Sequence, residues 1–235
     1  MDEFFGRMSR FQGQVFPAKQ ALYEQLAKDG QSPKALMISC ADSRVVPEMI
    51  MQAEPGELFV CRNAGNIVPP FSQANGGVSS AVEYAVVALG VRDIIVCGHS
   101  DCGAMKAFSN PEALEKMPNV AAWLRHAHAA HSVVCNAYPQ PMSDHDHTHA
   151  LALENVVAQI NHLRTHPSVA AALAQGDLRL HGWFFEIEAG EILALDGETG
   201  AFSPVREGAD LPFAVGPTQR RAYDQFPAAQ AMAAE

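Results

Sequence analysis

Three residues in this sequence have the types and placement to hold a borderline-soft metal ion. Cys40 ends the apolar run that begins at Ala35, and His99 and Cys102 follow a second apolar run that begins at Asp93. Two sulfurs and one nitrogen make a donor set suited to zinc. Three protein ligands leave one tetrahedral position open, which marks a catalytic rather than a structural zinc. His-x-x-Cys alone is a weak signal, and the cysteine at the end of another strand strengthens it. Asp42 lies two residues beyond Cys40, and Arg44 two beyond that. In extended backbone alternate residues share a face, so Asp42 can approach the same metal. A guanidinium also pairs bidentately with a carboxylate, so Asp42 has two partners to choose from. Paired with Arg44, it leaves the metal open to water and stays ionised. The plainer alternative is a loop ion pair of small worth.

Other residues invite the same scrutiny. Cys61 and Cys97 lie in apolar strands and read as buried thiols, the ordinary state of free cysteine. Cys135 follows His131 by four residues on an expected helix, a possible metal pair, although His126, His128 and His131 read more simply as a partly solvated helix surface. The segment Asp144 to His149 carries three histidines and can collect a stray metal ion, but reads first as a solvated loop or helix start. Trp183 reads as core.

These residues need elements to position them. Residues 35–40, 57–61 and 93–98 are short apolar runs, each ending in polar residues, and predict buried strands. A helix is expected over about 77–89, a long one over about 118–137, another over about 148–165, and a short one after Pro167. Residues 139–147 read as a polar loop. Leu178 to Ile187 holds a fourth strand, paired with residues 191–195 through the Ala189-Gly190 turn. Strands alternating with helices predict an α/β fold with a mainly parallel central sheet flanked by helices. In such a sheet ligands bind beyond the carboxyl ends of the strands, where Cys40 and His99 fall if their strands are neighbours. Residues 2–15 place Phe4, Met8, Phe11 and Val15 at helical spacing. Pro17 interrupts, and a second helix runs to about Lys28, closed by Asp29-Gly30. These helices pack either on a partner subunit or on their own core. No linker or repeat divides the chain, so residues 1–235 read as one domain, with a helical arm over 1–30 and a tail over about 217–235.

Composition limits the classes of function. The 235 residues carry a formal net charge of −10 and are 48% hydrophobic. An acidic chain without a basic block is a poor match for nucleic acid or an anionic membrane. No apolar stretch is long enough to cross a bilayer, and the first twenty residues lack the pattern of a secretory signal. Five scattered cysteines are not a disulfide framework. A cytoplasmic location is therefore expected.

Taken together, these motifs resemble the β-class carbonic anhydrases. The resemblance rests on Cys40, Asp42 and Arg44, on Gly98 to Gly103, and on the run from Gln52 to Asn66. Gly76 to Ser79, Glu83 to Ala85 and His181 to Trp183 extend it in the same order. It spans about residues 3 to 205, most of the chain. It implies one Zn²⁺ per chain on Cys40, His99 and Cys102, with an Asp42–Arg44 dyad that orients the attacking hydroxide. The substrates implied are carbon dioxide and bicarbonate. The plant-like, open-site branch of the family, bacterial in this case, implies that Gln31 donates to the substrate. Phe59, Ala64 and Tyr84 would form the pocket. A homodimer is the implied minimal unit, with tetramers or octamers frequent, and the amino-terminal helices become an arm on the partner. A second branch carries a Trp, Arg and Tyr bicarbonate site; here those positions are Met37, Arg62 and Phe185, and only Arg62 matches. Tyr84 is a possible proton shuttle, but Ala88 one turn on leaves no histidine relay. The rivals are a carbon disulfide or carbonyl sulfide hydrolase on the same scaffold and a non-catalytic zinc scaffold. A thiol redox protein is the weakest, since no Cys-x-x-Cys occurs.

Overall fold

A computed structural model describes residues 1–72, 76–208 and 210–216. Six strands form one sheet: β1 (Ala35–Cys40), β2 (Leu58–Asn63), β3 (Asp93–His99), β4 (Arg179–Glu186), β5 (Glu191–Leu195) and β6 (Phe202–Pro204). Their spatial order is β2-β1-β3-β4-β5-β6. The first four in that order are parallel, and β5 and β6 add antiparallel pairs at one edge. The expected mainly parallel sheet is present, and β1 and β3 are neighbours. Strand β6 was not anticipated. With only three residues, it has too few positions to show an alternating pattern.

The helices are α1 (Asp2–Arg10), α2 (Phe16–Asp29), α3 (Pro47–Ile50), α4 (Gly77–Glu83), α5 (Gly103–Lys106), α6 (Pro111–Glu115), α7 (Pro118–Leu124), α8 (His128–Ala137), α9 (Asp144–Leu163) and α10 (Pro167–Gln175). The short α3, α5 and α6 were not anticipated, the helix expected over about 77–89 turns π-helical at Tyr84–Ala88, and three further departures have a physical reason. Pro17 does not separate α1 from α2, because a π-helical turn at Phe11–Val15 joins them. Proline has no N–H to offer the carbonyl four residues back, and the wider turn absorbs that missing bond. The long helix over 118–137 is broken by a 3-10 turn at Arg125–Ala127, where the His126 carbonyl accepts from Gln159 Nε2 at 3.2 Å. Helix α9 begins at Asp144, inside the segment read as loop. The Ser143 hydroxyl caps it by accepting from the Asp146 N–H at 3.1 Å, and Asp144 and Asp146 favour the positive end of the helix.

The main core lies on the face of the sheet covered by α9, α10 and α4. Leu36, Ile38, Ile94, Val96, Leu180 and Phe184 meet Leu151, Val156, Ile160 and Leu163 of α9 there. Each such side chain, fully buried, contributes about 1.5–3 kcal/mol. Two glycines let α9 approach the sheet: a Cβ on Gly98 would lie 2.7 Å from Val156 Cγ2, and one on Gly182 3.0 Å from Val156 Cγ1. The opposite face carries a smaller cluster of Ala35, Met37, Ile95, Cys97, Trp183 and Ala194. Burial in it pushes the Cys97 thiol up to about 12, so Cys97 is inert, and Trp183 is core as expected. No residue of α1, of the π turn or of α2 is buried, and Phe4, Phe5, Met8, Phe11 and Val15 are exposed. The apolar groups of the arm thus pack on no core of their own chain.

Candidate metal centre

Parallel pairing of β1 and β3, with Ser39 opposite Cys97, brings Cys40 and His99 to adjacent strand ends. Beyond His99 the chain must reverse within two residues. Asp101 does this in the left-handed region, with φ of 58°, a conformation that Asp tolerates better than most residues. The loop is tied to the end of β4: the Ser100 N–H donates to the Phe185 carbonyl at 3.0 Å, and the Ser100 hydroxyl accepts from the Ile187 N–H at 2.9 Å. Cys102 then precedes α5. One ligand atom each of Cys40, His99 and Cys102 lies within 4.8 Å of the other two, and all three residues are buried.

The chemistry of these donors fits a zinc ion. His99 Nδ1 donates to the Ser100 carbonyl at 2.8 Å, which leaves Nε2 as the unprotonated nitrogen. That Nε2 is buried without a hydrogen-bond partner, an orphan that a metal would satisfy. The Gly65 N–H points at Cys40 Sγ at 3.4 Å. Hydrogen bonding from Cys102, opposed by burial and helped by His99 and Gly65, holds the Cys40 thiol well below the usual thiol range. Cys102 moves the other way, because Cys40 takes the shared proton's benefit and burial adds to the effect. The pair thus holds one thiolate readily and gives up the second proton with difficulty.

Asp42 and Arg44 meet, but by a turn rather than by extended backbone. Asp42 Oδ1 accepts the Arg44 N–H at 3.0 Å in an Asx-turn. The side chains then pair bidentately, Nε to Oδ1 at 3.0 Å and Nη2 to Oδ2 at 2.8 Å. The side-chain bonds with Arg44 outweigh the opposing effect of burial and, with the Arg44 N–H, hold the Asp42 carboxyl well below the usual carboxylate range. Asp42 Oδ2 lies 4.0 Å from His99 Nε2, so the fixed carboxylate faces the metal position while remaining on Arg44.

The sequence reading did not anticipate these supporting roles. Asp101 Oδ2 accepts from Arg44 Nη1 at 2.9 Å while its Oδ1 pairs with Lys106, so Arg44 is held by Asp42 on one side and Asp101 on the other. Arg62 donates to the carbonyls of Cys40, Asp42 and Val45 at 3.0, 2.7 and 2.6 Å and clasps the loop after β1. Trp123 Nε1 donates to the Ala64 carbonyl at 2.9 Å, and Asn155 Nδ2 to the Gly65 carbonyl at 2.9 Å. Gly65 has φ of 79°, and a Cβ there would lie 3.0 Å from Met105 Cε. Asp101 had a signal in the sequence, an acidic residue in the ligand loop, and Arg62 was singled out for a different role; Trp123 and Asn155 act across long separations.

The structure groups Cys40, Asp42, Arg44, His99 and Cys102, with Ala64 adjoining the Gly65 whose N–H points at Cys40. It does not bring Gln31, Phe59 or Tyr84 to that cluster within one chain. Gln31 precedes β1 at the end opposite Cys40, and is exposed. Phe59 registers with Leu36, four positions before the Cys40–Asn63 pair, or about 13 Å along the strand. Phe59 and Tyr84 instead lie against each other with ring centroids 5.9 Å apart.

Comparisons with known proteins agree with this geometry. The family model described as carbonic anhydrase matches residues 35–192. A carbonic anhydrase of Pseudomonas aeruginosa is 54% identical over 202 residues, covering 86% of this chain and 90% of the relative. Carbonic anhydrase 1 of Escherichia coli O157:H7 is 51% identical, covering 87% and 92%. The solved structure of the β-carbonic anhydrase CcaA superposes with a TM-score of 0.85 at 43% identity, covering 90% of this chain and 95% of that one. A tetrameric β-carbonic anhydrase of Sordaria macrospora gives a TM-score of 0.72 at 28% identity, covering 86% and 100%. With its family model matched over more than half its length and its ligand-type residues gathered at the strand ends, this chain belongs to the β-class carbonic anhydrases.

Proposed function

We propose that the protein catalyses the reversible hydration of carbon dioxide to bicarbonate and a proton, at one zinc ion per chain held by Cys40, His99 and Cys102. The observation that carries this is the buried, partnerless Nε2 of His99 beside two cysteines, faced by a carboxylate already locked on Arg44. When bound, zinc supplies Lewis acidity that lowers the pKa of water toward neutrality, less strongly on two thiolates than on three imidazoles.

The protein groups do the rest. Asp42 stays ionised at neutral pH, accepts a hydrogen bond from the attacking water and points it at carbon, a proximity effect. Arg44, anchored by Asp101, keeps that carboxylate from turning toward the metal, which is the open arrangement. Arg62 is occupied by three backbone carbonyls, and Met37 and Phe185 replace the Trp and Tyr of the bicarbonate-inhibited branch, so that form of regulation is absent from the proposal. Ala64 offers an apolar wall for an uncharged, linear gas. Gln31, Phe59 and Tyr84 reach the substrate when contributed by a second copy of the chain, which makes a homodimer the minimal unit.

Assembly beyond the dimer, to a tetramer or octamer, is supported by the exposed apolar face of α1 and by the tetrameric fungal relative. The five cysteines are free, in keeping with a cytoplasmic location. No helix among the described residues is long and apolar enough to cross a membrane. Residues 1–235 are read as a single domain, with the proposed tail over 217–235 outside the described residues.

The test is zinc content measured together with stopped-flow carbon dioxide hydration over pH 7 to 9. Wild type should hold about one zinc per chain and gain activity with pH. Cys102→Ala should lose both zinc and activity, and Asp42→Ala only activity. Zinc without hydration at any of these pH values would sink the proposal. Hydrogen sulfide released from carbon disulfide or carbonyl sulfide would then identify the alternative hydrolase.

A further inference from the structure

A second group of side chains, away from the strand ends, converges with metal-site chemistry. His131 and Cys135 lie one turn apart on α8, and His147 comes from the first turns of α9, which packs beside α8. One ligand atom from each residue lies within 4.8 Å of the other two. Cys135 Sγ is 3.5 Å from His131 Nε2. A tetrahedral zinc with bonds of about 2.3 Å to sulfur and about 2.0 Å to nitrogen places those two ligands about 3.5 Å apart. The spacing is therefore that of a shared ion, although a thiol–imidazole hydrogen bond has a similar length.

Two further observations favour the ion. The His131 ring is stacked on Phe108, centroids 4.9 Å apart and 30° between planes, and meets the His147 ring edge-on at 5.7 Å. Both imidazoles are thus oriented by packing before any ligand arrives, which lowers the cost of binding. Nδ1 of His147 is hidden from solvent and has no hydrogen-bond partner. Binding a cation through that nitrogen removes the deficit.

We propose that His131, Cys135 and His147 form a second binding site for a borderline-soft divalent cation, zinc above all, joining α8 to α9. Two nitrogens and a sulfur exclude magnesium and calcium, which require oxygen donors. Cys135 is exposed, so water completes the coordination and the ion exchanges with solvent. This site is weaker than the buried centre and separable from it by chelation. Helix α9 also touches the first centre, through Asn155, whose Nδ2 donates to the Gly65 carbonyl at 2.9 Å.

The experiment starts from protein carrying one zinc in the centre at Cys40, His99 and Cys102. Zn²⁺ is titrated against a chromophoric chelator of micromolar affinity. Wild type should bind one further equivalent. Cys135→Ala and His147→Ala should each weaken that equivalent at least tenfold and leave carbon dioxide hydration unchanged, while His145→Ala leaves both intact. Co²⁺ added as the second ion should give a thiolate-to-metal charge-transfer band that Cys135→Ala removes. Retention of the first zinc and an unchanged circular dichroism spectrum establish that a variant is folded; His131→Gln replaces any that is not. No second equivalent in wild type, or one that persists in both Cys135→Ala and His147→Ala, overturns the proposal. The persistent case assigns the ion to other surface histidines.

Discussion

Replacing Asn155 by alanine tests whether α9 supports the metal centre through Gly65. Asn155 is fully buried on α9, and its Nδ2 donates to the Gly65 carbonyl at 2.9 Å. The Gly65 N–H in turn donates to Cys40 Sγ at 3.4 Å. Asn155 Oδ1 accepts from Gln159 Nε2 at 2.8 Å, but Gln159 keeps a second acceptor in the His126 carbonyl. The substitution therefore strands chiefly one buried acceptor, the Gly65 carbonyl, at a cost of about 1–3 kcal/mol. For a chain of this size each kcal/mol lowers Tm by about 2–4 °C, so the middle of that range, about 2 kcal/mol, predicts a loss of roughly 4–8 °C. The second consequence is specific to the site. Gly65 sits at a left-handed φ against Met105 and Ala104, and without Asn155 its N–H is less well aimed at the thiolate. Removing outer-shell partners costs about 10–100-fold in metal affinity. Asn155 acts one link further out, so the lower end, about tenfold, is expected. The assays are thermal unfolding and zinc competition against a chelator, with stopped-flow hydration at saturating zinc to show that chemistry survives. A destabilised variant with zinc affinity within twofold of wild type would refute the coupling. An unchanged Tm would refute the accounting of buried acceptors.

Two other outcomes follow from the charges. The Cys40 thiol is held below the usual thiol range by its hydrogen bond with Cys102, and Cys102 is pushed above it, so zinc uptake by the apoprotein at pH 7.5 should release about one proton, and affinity should rise with pH. Calorimetry in buffers of different ionisation enthalpy counts that proton, and two protons per zinc would contradict the shared-proton pair. Asp93 is raised by burial, but bonds from Arg179 and His181 outweigh this and leave it depressed. A depressed carboxylate adds stability above its unfolded pKa of about 3.9 that is lost as pH falls through its folded value. Asp93→Asn should therefore lower Tm by about 3–6 °C at pH 7 and by progressively less as pH falls below about 3.9, and a loss that does not shrink over that range would exclude an ionic origin.

Much of the site was legible because its signals are local. Apolar runs of six or seven residues closed by polar ones mark parallel strands, and a ligand placed at the end of such a run must fall at the edge of the sheet. Residues 42 and 44 are close in sequence, so their pairing could be anticipated, although the turn that makes it was not. The Ser143 cap of α9 was also readable, since a serine three residues before an acidic one starts many helices, yet the polar composition of 139–147 suggested a loop instead. The break after Leu124 had no such signal: no proline or glycine occurs at 125–127, and a side chain from α9 takes the carbonyl there.

By itself, then, the sequence determined the donor types, the strands that carry them and the family. The tertiary structure alone decided which distant residues hold those donors in place. Asn155 reaches Gly65 across 90 residues, Trp123 reaches Ala64 across 59, and Asp101 reaches Arg44 across 57. It also set His147 beside His131 and Cys135, and left Gln31, Phe59 and Tyr84 away from the cysteines of their own chain. The physical reason is that periodicity and capping are written in a few neighbouring residues, whereas contacts between elements depend on how whole faces pack, and here on glycines that set how closely α9 meets the sheet.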